Sequence, residues 1–214
     1  GSGHAAGLHR LHQHQHLMKL ICVTNRRLCE EDFLHRIRRI ASGGVDAILL
    51  REKDLPEAAY RRLAQQCLEI CCNTATPLWL NTFVETAVQL QLPVQLPVPV
   101  LKTLSQETQH LLPAIGVSVH SPQDAALAAS HGASWLIAGH VYPTACKPDL
   151  PPRGIPFIRQ ICETVSIPVY AIGGITADKQ PDLRQAGAEG CCVMSHWMQC
   201  PNPEAEIQKW RNCH

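Results

Sequence analysis

Ile167-Pro-Val-Tyr-Ala-Ile-Gly-Gly-Ile-Thr176 carries a proline near its start, continues as a short apolar run and breaks at Gly173-Gly174. A run this short, bounded by proline and glycine, is the pattern of a strand buried on both faces. Two glycines at its C-terminal end let backbone N–H groups approach a ligand with no side chain between them. Ile175-Thr176-Ala177-Asp178 then reads as a turn into a helix, with Thr176 as its N-cap. About twenty residues on, Gly190-Cys-Cys-Val-Met-Ser195 repeats the design, a buried strand ending in a hydroxyl residue before another helical segment. A Gly-Gly pair alone marks only a turn. Two neighbouring strand ends of this kind predict a phosphate site, formed by the backbone of Gly173, Gly174, Met194 and Ser195.

Outward from that stretch the chain alternates apolar runs with helical patterns. The runs are 20–24, 45–51, 77–81, 93–96, 114–119, 134–139, 167–172 and 189–194, which makes eight candidate strands. Between them the helical patterns are 30–42, 56–74, 82–90, 103–112, 121–131, 154–164 and 176–186, with 202–212 closing the chain. Glycines after Ser42, His131 and Ala186 read as helix C-caps, and Ser121-Pro122 as a helix start. Such alternation implies parallel strands and right-handed crossovers, and eight units predict an α/β fold, a single (β/α)8 TIM barrel. The fourth unit fits least well, because residues 91–99 hold Pro93, Pro97 and Pro99, which a central strand tolerates only at its ends or at bulges.

The composition excludes several classes. At 214 residues the chain can bury one large core, and a formal net charge of +1 with 5% aromatics gives no basis for binding nucleic acid. No apolar run approaches the roughly 20 residues of a membrane span. Eleven cysteines without a C-x-x-C spacing read as packing thiols in a reducing, cytoplasmic protein, with Cys22, Cys67, Cys71, Cys191 and Cys192 at core positions. Residues 1–17 are rich in glycine and histidine and lack apolar periodicity. They read as a disordered expression leader, and the barrel domain as 18–214.

In such a barrel the chemistry sits at the C-terminal ends of the strands. The polar residues there are Arg51 and Lys53, Asn81, Ser118 and His120, His140 with Thr144 and Lys147, Gly173-Gly174, and Ser195. Alternation along a strand puts Ser118 and His120 on one side, and Arg51 and Lys53 likewise. Plainer readings stand beside these. Arg51-Glu52-Lys53-Asp54 also reads as a solvated charge run, Asn81 as a helix cap, and His120 as the flank of the Ser121-Pro122 helix. His140 rivals His120, since it too follows a strand. The loop from Pro143 through Cys146 and Lys147 to Pro148 is long and polar enough to be a lid.

At these residues the chain resembles the thiamine phosphate synthase superfamily, and more closely its TenI branch. The resemblance runs from Lys19 to about Gln199. It rests on Val23-Thr24, Arg51-Glu52-Lys53, Gly116-Val-Ser-Val-His120, Gly139-His-Val-Tyr-Pro-Thr144 with Cys146-Lys147, Ala171-Ile-Gly-Gly174 and Val193-Met-Ser195. The synthase branch carries Asp after its third and fourth strands, and those carboxylates hold a magnesium that activates a pyrophosphate leaving group. Thr82 and Val100 stand in those places here, and Leu49 replaces a pyrimidine-contacting glutamine. Without hard oxygen ligands there is no basis for Mg²⁺, so neither metal nor cofactor is expected. The TenI resemblance implies an isomerase, a thiazole tautomerase of thiamine biosynthesis acting on a small phosphorylated carboxythiazole precursor. His120 would shuttle the proton. Arg51, Lys53 or Lys147 would meet the carboxylate, with Asn81, Ser118 and Thr144 as further contacts. A thiamine phosphate synthase and a non-catalytic thiazole or thiamine phosphate-binding regulator are the alternatives. Barrels of this superfamily commonly self-associate, so a homo-oligomer is a further expectation.

Overall fold

The computed structural model describes residues 17–213, so the leader expected over 1–17 lies, Leu17 apart, outside the described residues. Eight parallel strands close into a barrel in sequence order: β1 Lys19–Val23, β2 Ala47–Leu50, β3 Leu78–Asn81, β4 Val94–Pro97, β5 Ile115–Val119, β6 Trp135–Gly139, β7 Val169–Ile172 and β8 Gly190–Val193. The closing pair joins β8 to β1 with Leu20 opposite Cys191. The expected TIM barrel is therefore present, with strand ends moved by at most two residues. Among the described residues no helix is long and apolar enough to cross a membrane.

Two apolar layers explain why these strands read as continuous hydrophobic runs. Residues on the outer face, such as Leu20, Ile48, Val117, Leu136 and Ala171, pack against the surrounding helices. Those on the inner face form a separate cluster that includes Ile21, Leu49, Trp79, Trp135, Ile137, Tyr170 and Cys192. The Trp79 and Trp135 rings stack with centroids 4.2 Å apart, and Tyr170 meets Trp79 edge-on. Beside them Gln95 is 1% exposed. Its Oε1 accepts from Trp135 Nε1 at 3.0 Å, and its Nε2 donates to Ser118 Oγ at 3.1 Å. Both ends of a buried amide are thus satisfied.

Gly116 makes that arrangement possible. A Cβ there would overlap both the Trp135 indole nitrogen and Gln95 Oε1. Gly116→Ala is therefore expected to destabilise the barrel by about 1–3 kcal/mol through overpacking. Urea unfolding read by tryptophan fluorescence measures this, and an unchanged midpoint would show that the indole can give way.

The prolines of the fourth unit find tolerated places. Pro93 precedes β4, Pro97 is its last residue, and Pro99 lies in the first turn of a Val98–Thr103 helix that the sequence pattern did not reveal. The expected 103–112 helix shortens to Gln106–Leu111. Ser121 caps its helix as expected, its hydroxyl accepting from Asp124 N. Thr176 does not. Its hydroxyl donates to the Asp178 carboxylate, and a 3-10 turn, Ala177–Lys179, precedes the Gln180–Gln185 helix. The five cysteines assigned to the core are buried, and all eleven cysteines are free. Burial pushes the Cys191 thiol up to about 12 and the Cys71 thiol up to about 11.

Candidate functional site at the barrel mouth

Where the β1–β2 ladder ends, side chains continue it. Thr24 N donates to Leu49 O at 3.0 Å, and the buried Thr24 hydroxyl accepts from Arg51 N at 3.0 Å. Between β2 and β3 the phenol of Tyr60 does the same, donating to Leu50 O at 2.6 Å and accepting from Asn81 N at 2.9 Å. Arg51 and Asn81 are thereby held at the rim by hydrogen bonds to fixed groups. Asn81 does not cap the following helix, which begins at Val84 behind Phe83. It is buried, and its Nδ2 donates to Thr82 Oγ1 at 3.1 Å. Thr82 itself has φ +73° with Phe83 N bonded to Asn81 O at 2.9 Å, the geometry of a γ-turn. A β-branched residue at positive φ is strained, and strain of this kind clusters at functional sites.

The charge run after β2 is not simply solvated. Glu52 is 3% exposed and bonded to Thr24 and Arg26, and Asp54 is held by both guanidinium nitrogens of Arg26 at 2.6 Å. The two acids are thus spent on β1-side partners. No ion-pair partner of Arg51, Lys53 or Lys147 is found among the described residues. The Lys53 ammonium is held below its ordinary range, first by burial and then by the nearby charges of Arg51 and Lys147. Cations from two separate loops therefore crowd one side of the mouth.

The β7 and β8 ends form another corner. Gly173 and Gly174 have φ +110° and +65°, conformations that glycine adopts without penalty. They also admit the backbone of the loop after β6. A Cβ on Gly173 would overlap His140 Cβ and lie 2.6 Å from its Cα, and one on Gly174 would overlap Pro143 O. The carbonyls of Ile172 and Gly173 accept from Val141 N at 2.9 Å and Tyr142 N at 3.0 Å. No acceptor for the N–H of Gly173 or Gly174 is found among the described residues. Two such neighbouring backbone donors can bind an anion. Met194 and Ser195 are half-buried beside them, Ser195 opening a five-residue helix, Ser195–Gln199.

The structure separates the two rival histidines. His140 is 4% exposed with Nε2 3.1 Å from Leu150 O, an internal strut of the loop. His120 is exposed at the mouth, its Nδ1 3.3 Å from Gly139 O and its backbone N donating to Asp124. Arg153 N and Gly154 N return to the carbonyls of His140 and Val141, closing the 140–154 loop on itself. A hollow of about 670 Å³ lies within it, lined by residues that include Thr144, Lys147 and Leu150. Ser118, by contrast, is occupied with Gln95 below the rim. Thr24, Glu52, Tyr60 and Gln95 were not among the expected site residues.

These residues do not fit the magnesium of the synthase branch. Thr82 offers a hydroxyl already bonded to Asn81, and Val100 packs against the apolar core. No cluster of three or more His, Cys, Asp or Glu suited to a metal occurs among the described residues. A hard divalent cation needs several oxygen ligands, and the carboxylates after β2, Glu52 and Asp54, are already bonded to Thr24 and Arg26.

A family model described as thiamine monophosphate synthase matches residues 20–196. Thiamine-phosphate synthase 2 of Streptococcus pneumoniae is 32% identical over 199 residues, covering 89% of this chain and 92% of that one. Thiamine-phosphate synthase of Roseiflexus castenholzii is 32% identical over 194 residues, covering 86% and 82%. Among solved structures, a thiamine phosphate pyrophosphorylase from Pyrococcus furiosus superposes with a TM-score of 0.79 at 29% identity, covering 92% of this chain and 95% of that one. These names correct the expectation of an isomerase. The relatives are synthases, a transferase activity, and the tautomerase reading is withdrawn.

Proposed function

This chain belongs to the thiamine monophosphate synthase family, and from that membership we propose that it is a transferase joining a phosphorylated thiazole to a pyrimidine carried on a diphosphate. The thiazole nitrogen would form a bond to the carbon linking pyrimidine and diphosphate. The bond from that carbon to oxygen breaks, and its electron pair leaves with the diphosphate. No redox partner is needed.

The observation that carries this reading is the separation of two anion-binding corners on one rim. The N–H groups of Gly173 and Gly174, with Met194 and Ser195 beside them, suit a monophosphate held by backbone. The cations of Arg51, Lys53 and Lys147, with the Lys53 ammonium depressed first by burial and then by its two neighbours, suit the more highly charged diphosphate. Two anchored substrates lose relative freedom before the bond forms. Asn81 and Thr144 lie at the rim between neighbouring loops and are assigned as substrate contacts. Ser118 supports the floor through Gln95. His120 gives up its proton-shuttle role, since this displacement needs no such proton transfer, and becomes a wall of the site. The free thiols support a reducing compartment, and a cytoplasmic setting is part of this proposal.

A second reading is favoured by Thr82 and Val100, which stand where carboxylates are expected of an active synthase. In it the protein binds thiazole phosphate without turning it over. Mixing the purified protein with the pyrimidine diphosphate and thiazole phosphate, with and without Mg²⁺, separates the two. Release of inorganic diphosphate in step with thiamine phosphate is expected. Tight binding of thiazole phosphate with no diphosphate release in either buffer would leave only the binder.

A further inference from the structure

We propose that Thr24, Arg26 and Glu52 are positioning residues that sort the charges of the Arg51-Glu52-Lys53-Asp54 run, withdrawing its two acids and leaving its two bases free for an anion. The proposal rests on the reading that Arg51 and Lys53 meet diphosphate. Glu52 is buried, while Arg51 beside it is half-buried and Lys53 is exposed in a turn closed by Leu55 N donating to Glu52 O at 3.3 Å, so the Glu52 carboxylate is turned in toward β1. There its Oε2 accepts from the Thr24 hydroxyl at 2.6 Å, and its Oε1 accepts from Arg26 N at 2.9 Å and Arg26 NH1 at 3.0 Å. Every one of those donors lies just beyond β1.

Two consequences follow for the neighbouring cations. The last paired residues of the β1–β2 ladder are Val23 and Leu49, so Arg51 N lies past the end of the sheet. Its acceptor is Thr24 Oγ1, and the Thr24 proton is committed to Glu52, which leaves the oxygen's lone pairs facing Arg51 N. The carboxylate thereby fixes the hydroxyl rotor, and the rotor fixes the backbone from which the Arg51 side chain projects. Second, Arg26 takes Asp54 in a two-pronged pair, and its hydrogen bonds pull the Asp54 carboxyl down to about 2. Arg27 NH2 also lies 3.0 Å from Asp54, so it is Glu52 that loses its cation partner without Arg26, and the freed carboxylate, between Arg51 and Lys53 in the chain, would compete with the ligand.

A role confined to stability would weaken the barrel's ligands together. A role in sorting charge weakens only the one held by the cations. Titration calorimetry with inorganic diphosphate and, separately, thiazole phosphate distinguishes them in the full-length protein. Thr24→Val and Arg26→Gln are each expected to weaken diphosphate binding about tenfold, the loss of roughly one hydrogen bond to a charged network. Both should leave thiazole phosphate affinity within about twofold. Thr24→Ser, which keeps the hydroxyl, is expected to restore diphosphate affinity. Either variant binding diphosphate like the unaltered protein, or losing both ligands in equal proportion, overturns the inference. If the unaltered protein binds thiazole phosphate but no diphosphate, the transferase reading fails first and takes this inference with it.

Discussion

Gly173→Ala is expected to lower the melting temperature on the order of 10 °C and to abolish measurable binding of thiazole phosphate. The residue has φ +110°, a region that side-chain-bearing residues adopt at a cost of about 1–3 kcal/mol. Its new methyl group would overlap His140 Cβ and sit 2.6 Å from His140 Cα and 2.9 Å from Val141 N. Backbone atoms cannot rotate aside as a flexible side chain can. The β6 loop must therefore retreat from the end of β7, breaking the hydrogen bonds from Val141 N to Ile172 O and from Tyr142 N to Gly173 O. Strain and overpacking together amount to about 3–5 kcal/mol, and each kcal/mol shifts the midpoint of a chain this size by about 2–4 °C. Calorimetric unfolding and thiazole phosphate titration measure the two effects. Full affinity in a destabilised variant would show that Gly173 serves only loop packing and that the phosphate lies elsewhere.

That double duty of Gly173 shows where sequence reading reaches its limit. The strands were legible because parallel strands buried on both faces read as unbroken apolar runs between proline and glycine, and the eight runs recur as the eight strands of the closed barrel. The close approach of residues 140–143 to Gly173 and Gly174 depends on a contact across some thirty positions, which no local pattern encodes. Glu52 was hidden for the opposite reason. Four alternating charges look like a solvent-facing run, and only the register of β1 against β2 reveals that one of them is sealed against Thr24. Strand alternation does not reveal it either, because the chain leaves the strand and turns at Lys53 and Asp54. The Val98–Thr103 helix was masked by its prolines, which are permitted because Pro99 falls in the first turn.

The reaction class was the least legible element. Thr82 and Val100 are visible in the sequence, and they argue against a carboxylate-held metal. They carry no information about which bond is made, because fold and anion sites are shared by unlike chemistries. The step to an isomerase rested on the missing carboxylates together with TenI-like stretches such as Gly139-His140-Val141 and Cys146-Lys147, and the synthase relatives overturn it. The positive feature at the same rim, cations with no ion-pair partner among the described residues, was present in the sequence as Arg51, Lys53 and Lys147. What no local pattern encodes is that the loop after β6 brings the Lys147 charge near enough to add to the depression of the Lys53 ammonium, after burial and Arg51.

Lys53→Ala is accordingly expected to reduce kcat/KM by about 10²-fold, roughly 2.7 kcal/mol at 1.36 kcal/mol per decade. In the proposed reaction negative charge grows on the departing diphosphate, so an ammonium beside it would contribute more in the transition state than in the bound substrate. Lys53→Arg keeps a cation and should recover most of the loss. The pH profile supplies an independent check. Burial first, then Arg51 and Lys147, hold the free-enzyme pKa of Lys53 below the ordinary lysine range. The charged form is the working one, so kcat/KM should fall as pH rises, beginning below that range. Bound diphosphate adds opposite charge and raises the same pKa, which places the fall in kcat at higher pH than the fall in kcat/KM. Lys147→Ala removes one repelling charge, so the free-enzyme limb should move upward even though substrate affinity drops. A structural lysine would give none of this displacement. A kcat/KM profile whose alkaline limb is identical in the unaltered protein and in Lys53→Ala would remove Lys53 from the site.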